Sequence, residues 1–248
     1  MQKLISILAL VFSCSAAFAQ DGYFVKAGAG VGSSNSSFGV LGSSHKANHQ
    51  SVLSEQGQLN IGSNFGNWQM ETGLSYLETG LSFVLGPGGS GGCVVGPNTN
   101  PIISSQTKSV KYTIQNPHLV VPLVLSYTLK SGNKFTVNPG IGVEALYNFK
   151  GKMAAEGISD ASGINMDYKY NDVSGAFLLK FEFQYQLCSH LSVWCSPSYQ
   201  KMFTSLTTKV PGDYMSHIYD RALLISAGIK CNLHCCKKPG ATTSGAKS

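Results

Sequence analysis

The stretch "GAFLLKFEFQYQLCSH", residues 175–190, carries two classes of residue in strict alternation. Lys180, Glu182, Gln184 and Gln186 occupy every second position, and Leu179, Phe181, Phe183, Tyr185 and Leu187 stand among them. Period two is the repeat of an extended strand, whose successive side chains leave on opposite faces. One face of this strand therefore holds charges and amides. The other holds broad apolar rings.

Working outward from it, the same alternation predicts eight strands, over residues 23–31, 58–65, 68–77, 118–129, 135–147, about 173–187, 191–203 and 221–233. The connections between the second and third, fourth and fifth, and sixth and seventh strands are short. The intervening ones, roughly residues 32–57, 78–117, 148–172 and 204–220, are long and rich in Gly, Ser and Asn. Short and long connections alternate, which gathers the long ones at one end of the sheet and both chain termini at the other. The composition agrees with an alternating β protein: only 12% of residues are charged, about half the usual share, and there are 28 glycines. A net charge of +6 without a long Lys/Arg run gives no support for a nucleic-acid partner.

"MQKLISILALVFSCSAAFAQ", residues 1–20, has Lys3, an apolar run from Leu4 to Phe12 and an Ala17-Phe18-Ala19 end. This is the pattern of a secretory signal peptide cleaved between Ala19 and Gln20. The competing reading, with Cys14 as a lipoprotein acylation site, lacks the expected residues before the cysteine. The chain then divides into a leader (1–19), a β-domain (20–233) and a short flexible tail (234–248). No run in the β-domain has the length of a membrane-spanning helix, so any membrane crossing is by strands.

An even number of strands of about ten residues, with short turns at one end and long loops at the other, is the pattern of an outer-membrane barrel. Closure satisfies every backbone group in hydrocarbon, where an open sheet edge is forbidden. The expected fold is all-β: an eight-stranded antiparallel up-and-down transmembrane β-barrel with short periplasmic turns and long extracellular loops. Trp68, Tyr127, Phe135 and Tyr185 lie near the short-turn end, and Tyr76, Tyr147, Tyr199 and Phe203 near the other, as two interfacial girdles require.

"METGLSYLETG" (residues 70–80) and "HLVVPLVLSYTLKSGNKFTVNPGIGVEALYN" (residues 118–148) resemble small outer-membrane β-barrel proteins of the "porin family". The resemblance lies in a strand ending in an aromatic and then Gly, a Pro122-Leu123 strand, and a hairpin into Gly140-Ile141-Gly142. It implies a fold more than an activity, with outer-membrane lipid and the barrel-insertion machinery as partners. The chain departs from such barrels in continuing past Leu233 as "HCCKKPGATTSGAKS", where they often finish on an aromatic.

Eight strands enclose an interior that side chains fill. The face assignment sends Lys26, Glu71, Glu144, Lys180, Glu182 and Lys230 inward as a lumen charge network, since buried charges persist when compensated. Lys180 is expected to meet Glu71 or Glu144. Cys195 and Cys231 are expected as cross-strand neighbours and candidates for a disulfide. Cys188 is placed to reach Cys235 or Cys236, in the oxidising compartment that an exported protein meets. A metal site from Cys231, His234, Cys235 and Cys236 is the rival, but its ligands are crowded for tetrahedral zinc.

Other motifs fail. "GAGVGS" (28–33) lacks the third Gly of a dinucleotide fingerprint, and "GPGGSGG" (86–92) lacks the Lys of a phosphate loop. Asn35-Ser36-Ser37 fits a glycosylation acceptor only formally. No spacing ties His45, His49, His118 or His217, all near the long-loop end, to a particular acid or serine. The expectation is therefore a non-enzymatic barrel serving envelope structure or surface interaction, with no cofactor, no metal and no catalytic residue. The ligand of its loops is not legible. A narrow small-solute or ion pore is the first alternative and an outer-membrane lipid-modifying enzyme the second. A soluble lipocalin-type barrel is the third, and it requires Lys180 and Glu182 to face water.

Overall fold

The structure, a computed structural model, describes residues 22–40, 49–85, 110–130, 133–149, 151–156, 164–165, 171–206 and 215–233. Eight long strands run through them: β1 (Tyr23–Val40), β2 (Val52–Phe65), β3 (Trp68–Leu85), β4 (Val110–Tyr127), β5 (Phe135–Asn148), β6 (Val173–Gln186), β7 (Leu191–Met202) and β8 (Met215–Leu233). Each pairs antiparallel with its neighbours in sequence, and β1 also pairs with β8. The ring is closed. No helix occurs among the described residues.

Closure follows from the alternation. Because the repeat is two, a strand slipped by one residue would turn its charged face outward, so the pattern itself sets the register. Along β6, Lys180 and Glu182 are 6% and 1% exposed, while Phe177, Phe181 and Phe183 are 58%, 46% and 41% exposed. The lipocalin-type alternative, which needs the opposite assignment, is overturned. The hairpin joining β2 to β3 needs only two residues, Gly66 and Asn67, and Gly66 takes the positive φ of 62° that such a turn demands.

The outward face bears Val31, Leu59, Leu74, Leu123, Ile141 and Phe177, and further large apolar residues around the ring, each at least 37% exposed. Water-soluble monomers rarely carry such a continuous apolar belt. From Phe177 to Leu187 the strand runs about 33 Å, or about 25 Å along an axis inclined near 40°. Aromatic pairs mark both edges of the belt. Trp68 meets Tyr127 edge-on at 5.0 Å near the short turns, and Phe177 meets Phe203 at 4.6 Å near the other end.

The strands reach further than the alternation of large residues predicts. β1 continues from Val31 to Val40, β2 begins at Val52, β3 runs on to Leu85, β4 begins at Val110 and β8 at Met215. Segments such as "GSSNSSFGV" read as loop because both faces are small and polar. They pair nonetheless, because the neighbouring strands present a ready template. A further strand, Lys152–Glu156, adds to β4 at this end through Lys111↔Glu156 to Gln115↔Lys152.

Candidate functional site

The lumen is filled in layers. Nearest the short turns, the Lys230 ammonium donates to the amide oxygens of Gln69 (3.3 Å) and Gln184 (3.2 Å) and lies 4.0 Å from the centre of the Phe24 ring. Above it sits a quartet of alternating charge. Lys26 pairs with Glu71 (2.9 Å) and with Glu182, and Lys180 pairs with Glu71 and lies 3.5 Å from Glu182. Two cations and two anions compensate each other out of water, which makes this burial tolerable. Lys26 also lies 4.8 Å from the centre of the Trp194 indole. That indole takes up the space beside Gly28, where an added methyl group would overlap it.

The six charged residues expected inside are all buried, yet they do not form one network. Four make the quartet. Lys230 is held by amides, and Glu144 has no ion pair among the described residues. Glu144 Oε2 and Gln200 Nε2 both lack a hydrogen-bond partner, and the two residues line a cavity of about 30 Å³ beside the quartet. That volume admits a few water molecules.

The next layer is apolar, which the expected polar plug did not include. Leu77, Val120, Leu146, Ala176, Met202 and Leu224 meet across the lumen, joined by Ala222 and by Leu206 from the β7–β8 connection. On their strands, Leu77 lies between the inward Ser75 and Thr79, and Leu146 between the inward Glu144 and Asn148. The layer separates the charges below from a second polar cluster above.

That second cluster centres on Asp220. Its Oδ1 accepts from Ser36 Oγ, and its Oδ2 accepts from Thr79 Oγ1 and from Asn116 Nδ2 (3.3 Å). His118 Nε2 lies 2.9 Å from Thr79 Oγ1 and 3.7 Å from Asp220 Oδ2. His118 Nδ1 lies 2.8 Å from Asn148 Oδ1, while Asn148 Nδ2 donates to Ser174 Oγ (2.7 Å) and the Asn171 carbonyl (2.6 Å). With the amide nitrogen so engaged, Nδ1 must carry the proton and donate to Oδ1.

Hydroxyl, imidazole and carboxylate are therefore in contact, a constellation the sequence did not reveal. The strand positions 36, 79, 118 and 220 are far apart in the chain, and only barrel closure brings them together. The arrangement has the parts of an acid–base site but not the access, because His118 and Asp220 are 1% and 2% exposed. The Thr79 hydroxyl also has three competing acceptors for its single proton: His118 Nε2, Asp220 Oδ2 and the Asn116 carbonyl. As it stands, the cluster locks strands β1, β3, β4, β5 and β8 together.

The expected Cys195–Cys231 pair is not made. Cys195 stands opposite Ala227 and Cys231 opposite Leu191, so the two are four residues out of register on the outer face. Four residues of strand are about 13 Å, beyond the reach of a disulfide. Cys188, Cys195 and Cys231 are exposed free thiols. Cys93, Cys235, Cys236, His45, His234, the Ala19–Gln20 cleavage point and the 234–248 tail lie outside the described residues. Among the described residues, no group of three His, Cys, Asp or Glu side chains could hold a metal ion.

No protein-family model and no curated protein matches the chain. Several solved structures are similar to it in fold. Neisserial surface protein A is 9% identical, covering 86% of this chain and 97% of that one, with a TM-score of 0.41. The outer membrane protein OprG from Pseudomonas aeruginosa is 13% identical over 87% and 98%, also at 0.41. The outer membrane protease OmpT from Escherichia coli is 10% identical over 86% and 97%, at 0.42.

Proposed function

We propose that this chain is a bacterial outer-membrane β-barrel that neither conducts nor catalyses, and that serves envelope structure or surface interaction through the connections at its long-loop end. The observation that carries this reading is the pairing of an outward apolar belt with a lumen stopped twice, by the charge quartet and by the apolar layer. Hydrocarbon outside needs a closed ring of strands, and water or ions inside would have to cross both stoppers. Residues 1–19 are proposed as the export leader and 234–248 as a tail beyond the barrel.

Insertion of the purified full chain into planar bilayers tests the claim of closure. The expected record is silent at potentials where a porin control conducts, with heat-modifiable gel migration showing that the barrel is folded. Steady single-channel steps would replace this reading with the narrow-pore one. The hydroxyl–imidazole–carboxylate contact favours the enzyme alternative chemically, and its burial opposes it. Hydrolysis of an acyl-ester or peptide substrate by the wild type, abolished in His118→Gln, would decide for the enzyme.

A further inference from the structure

Resting on the outer-membrane reading, we propose that the outer face of the barrel carries a site for an outer-leaflet glycolipid with a phosphorylated headgroup. The site combines an oblique apolar groove with a pair of cations at its upper end. The groove has a volume of about 660 Å³ and lies on β3 to β7. Its lower wall is one row of cross-strand partners: Met70, Leu125, Ile141, Leu179 and Tyr199. Its upper wall ends in Phe177 and Lys201, which are also direct partners.

Rows of partners run perpendicular to the strands, and barrel strands are tilted near 40°. The groove therefore climbs across the belt from Met70, two residues above a short turn, to Tyr199, eight residues above another. Five strands at about 4.8 Å spacing give it a length of about 19 Å. That suits an acyl chain lying along it.

Lys201 borders the groove, and Arg221 is its direct cross-strand partner on β8. Both are exposed, and no acid pairs with either among the described residues. Two like charges directly opposite on adjacent strands repel. At this position a shared anion removes the repulsion, and a phosphate accepts from ammonium and guanidinium together. The pair lies level with the Phe177–Phe203 contact of the upper aromatic edge, at headgroup height, with the groove directly below it. A headgroup phosphate on Lys201 and Arg221 thus places its acyl chain in the groove without a bend.

The test uses the full chain in phosphatidylcholine nanodiscs containing diphosphorylated lipid A, its dephosphorylated form, or phosphatidylglycerol. Lipid retained after detergent extraction is read by native mass spectrometry. The wild type is expected to keep one lipid A molecule, and K201Q/R221Q about tenfold less or lower, for the loss of two charge-assisted contacts. The charge-preserving K201R/R221K is expected to keep it and to show that the face still folds. Equal retention by wild type and K201Q/R221Q overturns the site. Retention of the dephosphorylated form to the same extent, or of phosphatidylglycerol in preference, overturns the phosphorylated glycolipid as occupant. Recovery of the wild type as a soluble protein without detergent overturns the membrane reading itself.

Discussion

The lower and upper polar layers of the lumen bury charge by different means. Around Glu71 and Glu182, each carboxylate faces two ammonium groups, and the layer is neutral by pairing. Around Asp220, a single carboxylate is held by two hydroxyls and an amide, with the His118 imidazole alongside. Pairing makes the lower layer depend on every member, because removing one leaves an uncompensated charge out of water. Hydrogen bonding spreads the load in the upper layer over neutral donors, each of which can be lost at smaller cost. The apolar layer between them keeps the two solutions independent.

The largest expected effect breaks the lower layer. Glu71→Gln leaves Lys26 and Lys180 sharing Glu182, and should lower stability by about 3–5 kcal/mol. This would appear as a lower urea midpoint for loss of the heat-modifiable form. Next comes the separator. Leu146→Ala in the apolar layer should cost about 2–5 kcal/mol through the cavity it leaves, measured in the same titration. If the layer also isolates the two polar layers, combining it with Glu71→Gln should give more than the sum of the two.

The upper layer should be more forgiving. Asp220→Asn keeps the shape but loses the charge and turns one accepting oxygen into a donating NH2, so about 1.5–3 kcal/mol is expected. A loss as large as that of Glu71→Gln would erase the distinction between the layers. Smaller again, Lys230→Met should fall within about 1 kcal/mol, because Lys230 has amides and a ring for partners and an apolar replacement escapes its desolvation. The smallest effect lies outside both layers. Cys195→Ser/Cys231→Ser should leave stability within about 0.5 kcal/mol, and its mobility on non-reducing gels should match that of the wild type. A mobility shift would mean that the thiols find partners.

Much of the barrel is legible in residues such as Phe177, Lys180, Phe181 and Glu182, where large rings and charges alternate without interruption. The inward set followed from the same alternation, and Lys180 lies against Glu71, one of its two expected partners. Legibility ended where side chains are small or where register decides. Ser34 and Ser36 look like loop, since both faces there are polar, yet they belong to β1 and Ser36 holds Asp220. The apolar layer was hidden because Val120 and Leu146 lie between outward apolar residues, in runs that are apolar on both faces. The cysteine pair failed because a shift of four residues, like any even shift, preserves the face and changes every partner.

The sequence by itself determined the number of strands and which face of each is apolar, because both are local properties of a two-residue repeat. Only the tertiary structure decided which charges meet. That Lys26 meets Glu182, and Thr79 meets Asp220, depends on the stagger of eight strands around a closed ring. Stagger is a property of the ring as a whole, accumulated over all eight pairings and completed only when β1 meets β8, and no single strand contains it.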